Sequence, residues 1–206
     1  MLSSRDVPRT RKSPSQRRAE ILGQASRIAL ADGLERVTLK AVAEPLGVQP
    51  SLIHHYFTSA ESLVVAAFEL AIAGEPRQLF ATTGTPTERL AALITHLESD
   101  SAWELARLWM NARNLSRFRP ELASAVVQQE SLDRQEMVAL LNEGVAANEF
   151  TCTDTLAACV RIFIAIDGLG AYANNLGSFT HPAYTHFLSD VTAWATGVPV
   201  AQLRAG

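Results

Sequence analysis

Apolar residues near the amino terminus recur at the spacing of one helical face. In the stretch SQRRAEILGQASRIALADG they are Ile21, Leu22, Ala25, Ile28 and Ala29. Residues spaced by three and four positions lie on the same side of an α-helix, so this stretch predicts an amphipathic helix. Ser15 is placed to cap its amino end, and Gly33 to end it.

Two short helices are predicted next, separated by a tight turn. The first runs from Thr38, placed as its N-cap, to Gly47, and the second covers Pro50 to Tyr56. Pro50 suits the first turn of a helix, where a missing N–H costs nothing. Pro45 lies late in the first helix and removes a backbone donor, so we expect a bend or an early end there.

The two short helices divide into an inward and an outward face. The inward positions are Val42, Ala43, Leu46, Val48, Ile53 and Tyr56. The outward positions of the second helix are Gln49, Pro50, Ser51, His54 and His55. This is the pattern of a helix-turn-helix, whose second helix enters the major groove of DNA.

The rest of the chain also follows helical spacing, with little alternation of the kind that a strand would show. A fourth helix begins near Thr58, which has the spacing of a capping box with Glu61, and continues apolar to Gly74. Five further helices are expected near residues 87–99, 101–115, 120–148, 154–176 and 183–197. The prediction is an all-α protein of about nine helices, with a flexible arm (1–14), a helix-turn-helix DNA-binding domain (15–74) and a helical body (75–206).

Composition and charge indicate a folded chain whose amino-terminal part is basic. With 206 residues, 48% of them hydrophobic, the chain is long enough for a real core, and no stretch has the apolar length of a membrane span. No secretory signal is evident, so the cytoplasm is expected. Residues 1–57 contain nine Lys and Arg against five Asp and Glu, whereas the remainder contains nine against sixteen. This excess of basic residues in residues 1–57, on an otherwise acidic chain, predicts that the amino-terminal part binds a polyanion.

The basic residues are densest at the amino terminus. Arg5, Arg9, Arg11, Lys12, Arg17 and Arg18 lie in the first eighteen positions, mixed with Ser and Pro. We interpret this segment as a mobile arm that contacts phosphates, with a passive solvated tail as the alternative.

The adjacent pair His54 and His55 is predicted to face nucleic acid rather than a metal. Neighbouring helical residues point about 100° apart, and no Cys, Asp or Glu lies nearby to complete a metal site. A neutral imidazole can donate its N–H to a phosphate oxygen. No cofactor is indicated anywhere in the chain.

The stretch TLKAVAEPLGVQPSLIHHYFTSAESLVVAAF resembles the DNA-binding domain of the TetR/AcrR family of transcriptional regulators, over about residues 15–73. The matching positions are Thr38, Ala43, Gly47, Val48, His55, Tyr56 and Phe57. The order His-Tyr-Phe is typical of the BetI-like branch. The resemblance implies phosphate contacts by Thr38, His54 and Tyr56. It implies that Lys40, Gln49, Pro50 and Ser51 lie nearest the base edges. The chain departs from the family at His54, Gln49 and Ala60, where many members have Tyr, Ser and a phosphate-binding Lys.

The same resemblance implies that residues 75–206 are a helical regulatory and dimerisation domain, and that a homodimer forms through its last two long helices. Gly168 and Ala171 would let a second helix approach closely, and Phe187, Val191 and Trp194 would supply the apolar face of the other helix. Ordinary packing within one chain is the alternative.

An effector cavity is expected in the body, where aromatic and apolar residues alternate with a few polar ones. The candidates are Trp103, Met110, Asn114, Phe118, Met137, Phe163, Asp167 and Tyr172, with Trp109 and Asn111 beside them. For Asp167 a cavity position, a dimer contact and plain surface exposure stay equally open. The function predicted is a repressor that a small-molecule effector releases from an inverted-repeat operator, the sign of regulation being implied by the resemblance alone.

Two other classes of function compete with this interpretation. The sequence lacks the motifs of a nucleophile elbow, a phosphate-binding loop, a zinc protease and a Cys-x-x-Cys site, which argues against an enzyme. A regulator that senses oxidation through Cys152 and Cys159 is the other alternative. These cysteines are seven residues apart on one predicted helix, too far along its axis for a disulfide.

Overall fold

The computed structural model describes residues 12–73, 83–172 and 179–204, and these residues form α-helices without a single strand. The α-helices are α1 (Pro14–Asp32), α2 (Leu39–Leu46), α3 (Pro50–Tyr56), α4 (Ala60–Ala73), α5 (Pro86–Leu97), α6 (Trp103–Ser116), α7 (Pro120–Ala146), α8 (Thr155–Ala171), α9 (Pro182–Thr185), α10 (Phe187–Thr196) and α11 (Val200–Leu203). Short 3-10 helices cover Leu34–Arg36 and Asp100–Ala102. The predicted all-α class is confirmed.

The amino ends of α1 and α4 are capped by serines other than the predicted residues. Ser13, not Ser15, caps α1. The Ser13 hydroxyl accepts from the Gln16 N–H at 3.2 Å, and the Gln16 side-chain oxygen accepts from the Ser13 N–H. At α4 the reciprocal pair is Ser59 and Ser62, joined by bonds of 2.9 and 3.2 Å. The capping box predicted one residue earlier was therefore wrong, because a nearby serine satisfies the same N–H groups.

The turn between α2 and α3 follows the sequence prediction closely. Thr38 caps α2 by accepting from the Ala41 N–H at 3.1 Å. Gly47 ends α2 in the left-handed conformation, with φ of 62°. Such a φ favours glycine because it has no Cβ to clash. Pro45 is the penultimate residue of α2, and the helix continues through it to Leu46 with Gly47 as its C-cap, so the early end expected at Pro45 does not occur.

Two hydrophobic cores hold the described residues together. The first joins α1–α4 to the buried faces of α6 and α7, including Leu108, Ala112 and Leu122. The second lies within the body and joins α5, α7, α8, α10 and α11. Because the first core runs across the expected domain boundary near residue 74, α1–α4 are packed directly on the body.

The body differs from the prediction mainly near its carboxyl end. The helix expected over 183–197 is divided at His186 into α9 and α10, and α11 follows it. The described residues thus hold eleven α-helices, against about nine predicted. The expected ends of the fourth helix at Gly74 and of the eighth at 176 lie outside the described ranges.

None of the described helices is by itself both long and apolar enough to cross a membrane. The α3–α4 pair passes by length and composition only when its members are taken together, and they are bent by 73° relative to each other.

Candidate DNA interface and effector cavity

Helix α3 is anchored by its inward face and presents its outward face to solvent. Ile53 is fully buried and Phe57, just beyond the helix, is nearly so, while Val42 and Ala43 are buried on α2. The predicted outward residues Gln49, Pro50, Ser51, His54 and His55 are all exposed. The amphipathic pattern therefore leaves a polar surface on α3 with no covering element among the described residues.

Thr38, Lys40 and Tyr56 lie beside this surface. The Thr38 oxygen accepts the capping bond from α2, which leaves its O–H able to donate to a phosphate. Lys40 is exposed on the first turn of α2. Tyr56 is half-buried, and its ring meets that of His55 edge to face with centroids 5.4 Å apart. The two aromatic side chains thus restrict each other's orientation.

The basic residues of α1 border the same surface. The Arg18 guanidinium lies over the Phe57 ring, 5.1 Å from its centroid, so Arg18 is directed toward the carboxyl end of α3. Arg17 and Lys12 both pair with Glu20. The hydrogen bond from Lys12 lowers the pKa of the Glu20 carboxyl, with Arg17 adding to the effect. Arg5, Arg9 and Arg11 lie outside the described residues.

A metal site at the histidine pair finds no support in the geometry. No cluster of three or more His, Cys, Asp or Glu side chains suited to an ion occurs in the described part of the chain. His54 and His55 therefore stay candidates for DNA contact.

The body contains a cavity of about 510 Å³ between α5, α6, α7, α8 and α9. Five aromatic side chains line it: Trp103, Trp109, Phe163, Phe179 and Tyr184. Five carboxylates also line it: Glu98, Asp100, Glu130, Asp133 and Asp167. The two guanidinium groups in the lining are those of Arg113 and Arg134. Carboxylates exceed guanidinium groups by three, so the cavity favours a positive occupant.

Arg113 on α6 links α7 and α8 in one wall of the cavity. Its Nε donates to Glu130 Oε1 on α7 and its Nη1 to Asp167 Oδ1 on α8, both at 2.8 Å. The guanidinium also lies 5.2 Å from the centre of the Trp109 ring. Partial burial raises the pKa of the Asp167 carboxyl, and Arg113 opposes that rise.

The rings of Phe179 and Tyr184, near α9, form a second wall of the cavity. Tyr172, Phe179 and Tyr184 contact one another with centroids 5.6 to 5.7 Å apart. The Tyr184 hydroxyl is buried and has no hydrogen-bond partner among the described residues. Burial raises its pKa, with the Tyr172 hydroxyl adding to the rise, so Tyr184 stays a neutral donor.

The cavity brings together some of the predicted effector residues and leaves others apart. Trp103, Met110, Met137, Phe163 and Asp167 line it. Asn114, Phe118 and Tyr172 are not in the lining; Asn114 is exposed, and Phe118 is 75% exposed at the corner between α6 and α7. A helical period shows which residues share a face, whereas it does not show which face meets the cavity.

Sequence reasoning missed most of the charged lining. Glu130 and Asp133 lie on α7 among other charged residues, where the pattern is typical of a solvated face. Their place in the cavity depends on α6 and α8, which are distant in sequence. No local signal identifies them.

An apolar surface runs along α8 and α10 and adjoins the cavity, whose lining includes Val160 and Ile164. On α8, Leu156, Val160 and Ile164 are exposed at successive spacings of four, followed by the predicted contact residues Gly168 and Ala171. On α10 the predicted Phe187 is 42% and Trp194 70% exposed, while Val191 is half-buried. The Arg161 guanidinium lies over the Trp194 ring at 4.7 Å. We call this the α8–α10 surface.

The two cysteines are free thiols, and Cys152 precedes α8 rather than lying on one helix with Cys159 as predicted. Cys159 is buried in the cavity wall and Cys152 is half-buried. Burial raises the pKa of both thiols, which lowers the fraction of reactive thiolate.

The chain is similar in sequence to known bacterial regulators. The profile described as "Bacterial regulatory proteins, tetR family" matches residues 21–67, which include α2, α3 and the turn between them. Residues 21–67 therefore contain a TetR-type DNA-binding domain. It is 27% identical over 175 residues to the HTH-type transcriptional regulator BetI of Brucella anthropi, covering 82% of this chain and 84% of that relative. A BetI regulator of Rhizobium meliloti is 34% identical over 92 residues, a match that covers 43% of this chain and 44% of that relative.

Solved structures agree with the family in their fold. A putative transcriptional regulator from Saccharomonospora viridis, in complex with choline, superposes with a TM-score of 0.70 at 22% identity, covering 85% of this chain and 95% of that one. A putative TetR-family regulator from Rhodococcus sp. superposes with a TM-score of 0.71 at 20% identity, covering 86% and 97%. With the tetR profile over residues 21–67 and the similarity to BetI along most of the chain, the protein is a DNA-binding transcriptional regulator.

Proposed function

We propose that this regulator is a cytoplasmic homodimeric repressor of the TetR family, released from an inverted-repeat operator by a small organic cation. Residues 15–74 bind DNA, with the preceding arm (1–14) adding phosphate contacts, and residues 75–206 hold the effector and the dimer contact. The negatively charged, aromatic cavity is the observation that carries the choice of effector.

The DNA contacts divide by chemistry. Ser51 and Gln49 are polar and exposed at the amino end of α3, the end that meets base edges in a helix-turn-helix. Thr38, Tyr56 and the histidines are placed at the edges of the α3 surface, where hydroxyl and imidazole donors suit phosphate oxygens. Arg17 and Arg18 add charge that draws the domain to any duplex.

Dimerisation is supported by the α8–α10 surface. It carries aligned apolar side chains on two adjacent helices, and such a patch on a folded protein marks an interaction site. Gly168 and Ala171 allow close helix approach. A two-fold dimer through this surface would carry two α3 helices, which explains why the operator is expected to be an inverted repeat.

The effector class follows from the cavity lining. Aromatic faces attract a cation by roughly 0.5–2 kcal/mol each, and the excess of carboxylates adds to that attraction. The choline bound to the regulator from Saccharomonospora viridis belongs to this chemical class. A regulator from Bacillus subtilis with a related fold is in complex with stearoyl-CoA. Such an anion would meet repulsion from the carboxylates described here.

Choline provides the direct test. A labelled operator duplex, selected from a random pool by the protein itself, would be titrated by fluorescence anisotropy with and without choline. We expect choline to weaken duplex binding, while stearoyl-CoA and the neutral isostere 3,3-dimethylbutanol leave it unchanged. Release by stearoyl-CoA and not by choline would refute the cationic effector.

A further inference from the structure

Asn111 on α6 joins the body to the helix-turn-helix through both ends of its side-chain amide. Its Oδ1 accepts from the backbone N–H of Leu34 at 2.7 Å. Its Nδ2 donates to Glu35 Oε2 at 2.8 Å. These bonds span 77 and 76 residues of chain, and both end on the 3-10 helix Leu34–Arg36.

The bond to Leu34 meets a need of the backbone. The first N–H groups of a helix have no partner inside the helix, and Gly33, the N-cap here, offers no side chain. Asn111 supplies the missing acceptor. The amide then turns its NH₂ toward the Glu35 carboxylate, so each group has the partner that its chemistry requires.

The position of Asn111 links two regions of the protein. The 3-10 helix ends two residues before Thr38, the N-cap of α2. On α6, Asn111 follows Met110 and precedes Arg113 by two residues, and both of these line the cavity. Trp109, another lining residue, meets Phe68 of α4 edge to face at 5.3 Å. Polar and aromatic contacts from one helical turn of α6 thus hold both the 3-10 helix that precedes α2 and the middle of α4.

We propose that Asn111 is a positioning residue for operator binding: it fixes the orientation of the helix-turn-helix relative to the cavity helix α6. This role builds on the proposed dimer, because two α3 helices meet half-sites at a set spacing only when each is held rigidly on its body. Without the two hydrogen bonds the domain gains freedom, and the spacing requirement relaxes together with the affinity.

The test exchanges donor and acceptor between Asn111 and Glu35. Asn111→Ala removes both bonds, and Asn111→Asp places two carboxylates together. The double variant Asn111→Asp with Glu35→Gln restores both bonds: the Asp accepts from the Leu34 N–H as Asn111 does, and only the bond to residue 35 is reversed, with the Gln amide as its donor. Asn114→Ala is the matched control, because Asn114 lies on the same helix, is exposed and has no side-chain hydrogen-bond partner among the described residues.

Two readouts are measured for the full-length variants. Hydrogen exchange of peptides covering residues 30–46 reports on the Leu34 amide. Anisotropy titrations with operator duplexes, whose half-site spacing is changed by one base pair at a time, report on orientation. We expect Asn111→Ala to speed exchange at Leu34, to weaken binding to the best duplex about tenfold and to flatten the spacing dependence. The double variant should return both readouts to within about threefold of the wild type.

Unchanged exchange at Leu34 in Asn111→Ala would overturn the proposal, as would a double variant no better than Asn111→Asp. Faster exchange with wild-type affinity and spacing dependence would overturn the positioning role. If the wild-type protein binds equally well at every half-site spacing, the proposed dimeric binding mode is wrong, and the positioning role is wrong with it. The exchange data would still show whether the two hydrogen bonds of Asn111 are formed, so the two failures can be told apart.

Discussion

Arg113 Nη1 on α6 lies 2.8 Å from Asp167 Oδ1 on α8, and this ion pair spans one wall of the cavity. The sequence leaves the place of Asp167 open between cavity, dimer contact and surface; the side chain lies in the cavity lining and is 47% exposed. A cation that enters the cavity therefore meets the Asp167 carboxylate, one oxygen of which already accepts a hydrogen bond from Arg113.

The first prediction concerns this carboxylate. Asp167→Asn should weaken choline binding about tenfold, because it removes a negative charge from the cavity wall while keeping the side chain's shape. Calorimetric titration of choline into the free protein measures the change. Glu136→Gln, an exposed carboxylate of α7 outside the lining, should leave the affinity unchanged. Equal losses in both variants would show that only the overall charge matters.

The second prediction concerns pH. Because partial burial raises the Asp167 pKa above its ordinary value of 3.8, the carboxyl takes up its proton at a higher pH than a free aspartate. Choline binds the ionised form, so its affinity should be full well above this pKa and fall as the pH drops through it. Asp167→Asn should remove the part of the fall that belongs to this group. An identical pH profile in the variant would assign the dependence to another carboxylate.

The third prediction concerns the amino-terminal arm. Deleting residues 1–12 should weaken duplex binding and reduce the slope of log affinity against log salt by about 0.9 for each phosphate that the arm neutralises. Titrations at several salt concentrations provide the slope. If the slope stays as in the full chain, the arm is a passive tail.

The fourth prediction concerns the α8–α10 surface. Trp194→Ala should weaken dimerisation about 30-fold or more, because exposed aromatic residues with an arginine stacked on them are typical anchors of interfaces. Sedimentation equilibrium measures the dissociation constant. Phe118→Ala is the matched control: Phe118 is similarly exposed and has Arg117 over its ring at 5.7 Å, but it lies at the α6–α7 corner. A dimer weakened by Phe118→Ala and not by Trp194→Ala would place the interface elsewhere.

The local parts of the fold could be predicted from the sequence because their signals are local. Thr38, Gly47 and Pro50 each determine a cap, a turn or a first helical turn through their own backbone and side chain, and the structure has them there. Ser13 and Ser59 were missed because neighbouring residues carry equivalent capping groups, and the sequence does not rank them. The break at His186 was missed because apolar spacing continues across it.

The long-range parts could not be predicted for a different reason. The sequence suggests Asn111 as a polar residue of the cavity. Its hydrogen-bond partners Leu34 and Glu35 are more than seventy positions away, so no local pattern indicates them. The acidic lining of the cavity likewise forms only when α5, α6, α7 and α8 pack together. Such contacts depend on tertiary packing, and periodicity along one helix contains no information about them.

The mode of DNA binding is tested most directly by selecting duplexes from a random pool with the wild-type protein and with Ser51→Ala, Gln49→Ala and His55→Ala. The wild type should enrich an inverted repeat with half-sites about 10 base pairs apart or a multiple of that spacing. Ser51→Ala and Gln49→Ala should change the preferred bases, while His55→Ala should weaken binding to all sequences by similar factors, since a phosphate contact carries no base identity. Enrichment of a single asymmetric site, or a change of base preference in His55→Ala but not in Ser51→Ala, would contradict the assignment of α3 as the recognition helix of a dimer.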